Sequence, residues 1–227
     1  MGPMTSRARF CEPMLCRAVN ELPQGPAWSY ELKFDGYRGL GLRTEGRSHL
    51  FSRNGRDFTE RFPTVARALE KLPDETLIDG EIVAFDRNGR ASFNQLQNHA
   101  RTAHIVFYAF DLLVLAGEDV RRLPLEERRD TLRCQLMPKL GDLIRYSETF
   151  DVPAAELVET VRAQGLEGVV AKRRASPYRS GDRSGDWLKL RLNQGLVPVL
   201  EDEPPQASVC SASLLEQTGF ELPVPSD

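Results

Sequence analysis

Lys33 lies in Glu31-Leu32-Lys33-Phe34-Asp35-Gly36-Tyr37-Arg38, inside a run of alternating polar and apolar residues. A period of two puts Trp28, Tyr30, Leu32 and Phe34 on one side of a strand and Ser29, Glu31, Lys33 and Asp35 on the other. A lysine between two carboxylates is either part of an ion-pair ladder on a solvated sheet or an amine in the wall of a ligand pocket. Gly36 favours the pocket, because a residue without Cβ lets a ligand approach the backbone closely. Four fixed residues in the pattern K-x-D-G-x-R arise by chance in roughly one chain of this length in several hundred. Further polar groups recur inside otherwise apolar segments: Ser52-Arg53-Asn54-Gly55, Asp79-Gly80-Glu81, Phe107-Tyr108-Ala109-Phe110-Asp111, Glu167-Gly168-Val169-Val170-Ala171-Lys172 and Trp187-Leu188-Lys189-Leu190-Arg191. Each alone reads as strand-end polarity or a sheet salt bridge; their order and spacing together are specific.

The elements that must position these groups follow from periodicity. Strands are expected from Trp28, near Arg38–Arg43 and His49–Arg53, over Leu77–Asp86 with a turn at Asn88-Gly89, and over Ile105–Leu115, Glu167–Arg173 and Trp187–Arg191. Helices are expected over Pro63–Leu72, from Ser92 to Asn98, over Pro124–Met137 with proline in its first turn, and over Pro153–Gln164, which Gly165 ends. Mixed elements without a regular βαβ rhythm imply an α+β fold on antiparallel sheets. Residues 1–27 read as an extended lead-in, 28–192 as the domain, and 193–227 as an acidic, proline-rich tail. Glu167 and Lys172 differ by five, so a straight strand would point them to opposite faces. Gly168 must bend the chain if both belong to one site.

Composition sets the outer limits. The 227 residues are 41% hydrophobic and 28% charged, with formal net charge −3, which fits a globular protein. All Lys and Arg lie before residue 193, and Lys172–Arg191 alone holds seven basic and two acidic side chains. Such a cluster, here Arg173, Arg174, Arg179 and Arg183 beside Trp187, suits a phosphate backbone. The longest apolar run, Ile105 to Ala116, is broken by Asp111, so no membrane partner is expected. Cys11, Cys16, Cys134 and Cys210 have no zinc spacing and no secretory signal precedes them, so reduced thiols and a cytoplasmic location are expected. No phosphate-cradling G-x-x-x-x-G-K-[ST] is present, and His49, His99 and His104 have no metal-binding spacing.

The motif set resembles that of the ATP-dependent DNA ligases, and most closely the ligase module of bacterial non-homologous end-joining DNA ligases. The likeness extends to Phe10-Cys11-Glu12-Pro13-Met14-Leu15, Ser92-Phe93-Asn94-Gln95-Leu96-Gln97-Asn98 and Ser176-Pro177-Tyr178-Arg179-Ser180-Gly181, and covers roughly residues 10–192. It implies an antiparallel-sheet nucleotidyltransferase domain, ATP-grasp-like, that carries AMP on Lys33 as a phosphoramidate. Glu31 and the backbone near Leu32 would read the adenine, with Phe110 and Val170 on its two faces. Arg38, Arg53 and Glu81 would hold the ribose; Lys172, Lys189 and Arg191 would hold the α-phosphate. Glu167, with Glu81 and Asp35, would bind Mg²⁺ or Mn²⁺, ions that favour carboxylate and phosphate oxygens. An amine attacks phosphorus only when unprotonated, and Arg38, Lys172, Lys189, Arg191 and the metal would favour that form.

The resemblance also implies a substrate: nicked or broken double-stranded DNA, joined during repair. Related ligases carry an OB-fold domain after the last lysine motif, whereas 36 residues without a barrel pattern follow Arg191 here. The expectation is a monomeric adenylating enzyme, either one served by an OB-fold or end-joining protein in trans or a minimal ligase that works weakly on nicks by itself. The alternatives are a nucleotide- or DNA-end-binding module without catalysis, and a nucleotidyltransferase of the RNA-ligase or mRNA-capping type.

Overall fold

The computed structural model describes residues 7–86, 89, 91–97 and 104–192. Asn88, Asn98, His99, Cys210 and the tail expected over 193–227 lie outside the described residues.

A four-stranded sheet has the order β1-β10-β9-β2, with β1 at Arg17–Ala18, β2 at Trp28–Lys33, β9 at Gly168–Arg173 and β10 at Trp187–Arg191. The second sheet contains β3 (Tyr37–Thr44), β4 (Arg47–Ser52), β5 (Thr76–Phe85), β6 (His104–Leu115) and β7 (Glu118–Asp119), in the order β4-β3-β5-β6-β7, with β8 (Ile144–Tyr146) also on β6. Pairing is antiparallel except for β1 with β10 and β8 with β6. The α+β class expected from the periodicity is therefore the observed one. Helices are α1 (Pro63–Ala68), α2 (Phe93–Gln97), α3 (Leu125–Thr131), α4 (Met137–Leu140) and α5 (Ala154–Ala163).

Residues 7–27, expected as a lead-in, form an integral part of the packing. They supply β1, and Ala8, Met14 and Leu22 are buried in the cores. The helix expected over Pro124–Met137 is not one regular rod: a π-helical turn at Leu132–Leu136 separates α3 from α4. The two-residue and three-residue strands β1, β7 and β8 lack a readable period and went unpredicted.

Three cores position the pocket. Tyr30, Leu32, Val169, Ala171 and Leu188 of the four-stranded sheet pack with Leu157 and Val161 of α5, which turns Glu31, Lys33, Val170, Lys172 and Lys189 to the opposite face. Ile78, Ile82 and Ala84 of β5 pack with Phe62, Val65 and Leu69 on the outer face of the larger sheet, leaving Asp79 and Glu81 on its inner face. Between the sheets, Trp187 of β10 meets Phe110 of β6, and Leu40 and Leu42 of β3 join that cluster.

Candidate nucleotide pocket

A cavity of about 670 Å³ opens between the two sheets. Nine Lys or Arg side chains and four Asp or Glu side chains line it, so its chemistry suits an anion. Every residue expected to bind nucleotide or metal is among its lining: Glu31, Leu32, Lys33, Asp35, Arg38, Arg53, Glu81, Phe110, Glu167, Val170, Lys172, Lys189 and Arg191.

On β2, Lys33 stands opposite Gly168 in the antiparallel ladder with β9. Its amine is ion-paired with Oε1 of Glu167. Gly168 has φ +156°, and a Cβ there would lie 2.0 Å from the Leu190 carbonyl oxygen. This is the bend that parity required. It lets Glu167 enter the cavity just before the strand begins, while Val170 and Lys172 face the same cavity from inside β9.

The end around Glu31 is closed, and both oxygens of its carboxylate are engaged. Oε1 of Glu31 accepts from Arg129 Nη1 at 2.8 Å and lies 2.7 Å from Lys172 Nζ, and Oε2 accepts from Ser147 Oγ at 3.0 Å. The Glu31 carboxylate is thus engaged by three protein groups. Burial pulls the Lys172 amine below its ordinary pKa. Lys172 Nζ and Arg38 Cζ lie 3.9 and 4.4 Å from the centre of the Phe110 ring, which also meets Trp187 edge-on. Arg38 is fixed by a bidentate bond to Asp79, 2.6 Å at each oxygen, and Tyr178 donates to the same carboxylate at 2.6 Å.

The other end is open. Arg53, Arg191 and Asp35 are exposed; Lys189 is half-buried, and partial burial with Arg191 nearby lowers its pKa. Burial pushes the Glu81 carboxyl up to about 7. Burial also raises Glu167, against the lowering effect of Lys33. Oε2 of Glu167 is buried and has no hydrogen-bond partner. No group of three or more His, Cys, Asp or Glu gathers among the described residues, so a closed protein cage for a metal is not formed there. One orphaned carboxylate oxygen beside a cation-rich cavity fits a Mg²⁺ ion that would take its other oxygens from an anionic ligand and water.

The model of the ATP dependent DNA ligase domain matches residues 13–191. The chain belongs to that family. This ligase domain is 40% identical over 209 residues to the multifunctional non-homologous end joining protein LigD of Pseudomonas aeruginosa, covering 89% of the chain and 25% of that protein. It is 37% identical over 166 residues to LigD of Mycolicibacterium smegmatis, covering 73% and 21% respectively. The chain thus spans about a quarter of the length of these relatives. Among solved structures, the ligase domain of Mycobacterium tuberculosis LigD superposes with a TM-score of 0.70 at 34% identity, covering 80% of this chain and 60% of that one. A mycobacterial DNA ligase D complexed with ATP and MES gives 0.69 at 33% identity over the same shares.

The arginines expected to grip DNA differ in their partners. Arg173 and Arg179 both bind Asp186. Arg174 bonds the Trp28 carbonyl and pairs with Asp151 at 3.9 Å. Arg183 donates to the Cys16 carbonyl and lines the nucleotide cavity. Sequence reasoning missed Arg129, Ser147 and Asp79 as supports of the pocket. Asp79 carried a signal, as the acid of Asp-Gly-Glu; Arg129 and Ser147 carried none. Among the described residues, Cys11, Cys16 and Cys134 are free thiols and no helix is long and apolar enough to cross a membrane.

Proposed function

We propose that this ligase domain charges Lys33 with AMP from ATP and passes that AMP to the 5′-phosphate of nicked or broken double-stranded DNA in end-joining repair. The observation that carries the reading is the Lys33 amine, at the centre of a cation-rich cavity and hydrogen-bonded to a carboxylate that can receive its proton. In the first step the amine lone pair attacks the α-phosphorus, a P–N bond forms, and the bond to the β-phosphate oxygen breaks with pyrophosphate as leaving group. Glu167 takes the amine proton. Lys172, Lys189 and Arg191 offset the charge that builds on the phosphate. A DNA 5′-phosphate oxygen then attacks the same phosphorus, the P–N bond breaks, and the amine recovers a proton. Attack by a 3′-hydroxyl on the adenylated 5′-phosphate closes the phosphodiester and releases AMP.

Of the expected carboxylates Glu167, Glu81 and Asp35, Glu167 would hold a Mg²⁺ or Mn²⁺ ion through its unpartnered oxygen, with substrate and water oxygens completing the shell, and the ion would supply charge neutralisation at the phosphates. The relatives' names support the repair setting. The decisive experiment incubates the chain with Mg²⁺ and α-labelled ATP or GTP, followed by denaturing electrophoresis. Label from ATP alone is the expected result. Label from GTP would transfer the chain to capping-type chemistry, and label from neither would leave a binding module.

A further inference from the structure

Arg128 and Arg129 are consecutive on α3 and therefore point about 100° apart. Arg128 pairs with Asp111, both fully buried, and bonds the carbonyls of Leu123 and Ser176. Arg129 reaches in another direction. Its Nη1 donates to Glu31 Oε1 at 2.8 Å and to the Phe110 carbonyl at 2.9 Å, and its Nη2 donates to the Ser147 carbonyl at 2.5 Å. Its guanidinium also lies 4.6 Å from the centre of the Tyr146 ring. The acceptors belong to β2 in one sheet, β6 in the other, and the segment after β8. A planar fork of fixed donors can hold three such acceptors at set angles, which a lysine ammonium cannot.

The Phe110 carbonyl is available for a reason. Asp79 pairs with Asp111 and Gly80 with Ala109, so the β5–β6 register skips Phe110. A bulged residue is left out of the ladder, and its free carbonyl needs a donor. Arg129 provides one and thereby fixes the backbone from which the Phe110 ring enters the cavity. Arg129 itself is not among the residues that line the cavity.

Charge balance gives the second consequence. Glu31 is one buried carboxylate shared by two buried cations, Arg129 and Lys172. Two basic groups thus divide one carboxylate beside the cavity. Without Arg129, Glu31 would be left to Lys172 alone.

We propose that Arg129 is a positioning residue for nucleotide binding: it anchors the bulge that aims Phe110, and it shares Glu31 so that Lys172 is not the sole counter-ion of that carboxylate and can also meet a phosphate. The inference rests on the nucleotide-binding reading given above, but it does not require that AMP become covalently attached.

The test uses the full chain with Arg129→Met, Arg129→Lys, Glu31→Gln and the Arg129→Met/Glu31→Gln pair. ATP affinity is measured by calorimetric titration, and adduct formation is followed against ATP concentration below the melting temperature of each variant. Arg129→Met should weaken ATP binding and raise KM by about tenfold or more, while the rate at saturating ATP falls far less. Arg129→Lys should be intermediate, because it keeps the charge and loses the fork. In the Glu31→Gln background, the loss from Arg129→Met should shrink, because no uncompensated carboxylate remains. Wild-type ATP affinity in either folded Arg129 variant, or strictly additive losses in the pair, would overturn the proposal. If Arg129→Met does not fold, Arg129→Lys decides alone, and an unchanged KM there counts against it. ATP binding without adduct in the wild type would sink the catalytic reading and leave the affinity comparison to judge Arg129. No ATP binding by the wild type would overturn both.

Discussion

Lys33 on β2 is ion-paired with Glu167, which immediately precedes β9, and the residue after Glu167 stands directly opposite Lys33 in the ladder. The amine donates to the carboxylate, which places a proton acceptor within hydrogen-bond reach of it. Lys33→Ala should abolish label transfer from α-labelled ATP while the melting temperature stays close to that of the wild type, since a polar-face truncation opens no core cavity. Adduct that survives in Lys33→Ala would place the nucleophile elsewhere.

Gly168 makes that pairing possible. Its φ of +156° and the 2.0 Å approach of a hypothetical Cβ to the Leu190 carbonyl leave no room for a side chain. Gly168→Ala should destabilise the fold by about 2 kcal/mol or more, because both the backbone conformation and the β9–β10 contact must give way. Thermal melting checks this, and a wild-type midpoint would contradict the tight approach.

Phe110 separates packing from stacking. It is a buried ring in the core between the sheets and also part of the cavity wall. Phe110→Leu conserves most of the volume, so stability should change little. A stacked adenine should nevertheless lose about 1 kcal/mol or more, read as a Kd for ATP weakened about fivefold. Unchanged affinity in the stable variant would return Phe110 to a packing role.

Glu81 should make the nucleotide-free protein sensitive to pH. Burial raises its carboxyl from 4.5 to about 7, with Arg38 and Lys33 opposing the rise and Asp79 and Glu167 adding to it. A raised carboxyl binds its proton more tightly in the folded state, so its stabilising contribution is complete below the unfolded value and is lost as pH climbs through about 7. Between about pH 5 and pH 8 the melting temperature of Glu81→Gln should therefore gain on that of the wild type. A constant difference across that range would show that Glu81 titrates as an ordinary carboxyl.

DNA affinity should depend unequally on the arginines of the basic run. Arg183 lines the cavity, whereas Arg174 is engaged with the Trp28 carbonyl and Asp151. Arg183→Ala should weaken binding to a nicked duplex and reduce the log–log salt slope by about 0.9, the amount for one phosphate contact. Arg174→Ala should leave the slope unchanged. Equal slopes for the two variants would mean that the run acts as a diffuse charge.

The sequence by itself determined the strands that carry chemistry. The alternation from Trp28 places Lys33 on the polar face of β2, and Trp187–Arg191 is β10 as read. Period two is a local property, so a half-buried strand writes its own orientation into the chain. The same periodicity exposed the conflict between Glu167 and Lys172 and named Gly168 as the residue to resolve it.

Tertiary structure decided who compensates whom. Nothing local shows that Arg129 meets Glu31 98 residues away, that Asp79 rather than a ligand holds Arg38, or that Asp186 claims two arginines of the basic run. The periodicity around Arg128 and Arg129 says which face of a helix they occupy but not what covers it. Burying a charge is costly unless a partner arrives, and that partner is chosen by how the two sheets come together.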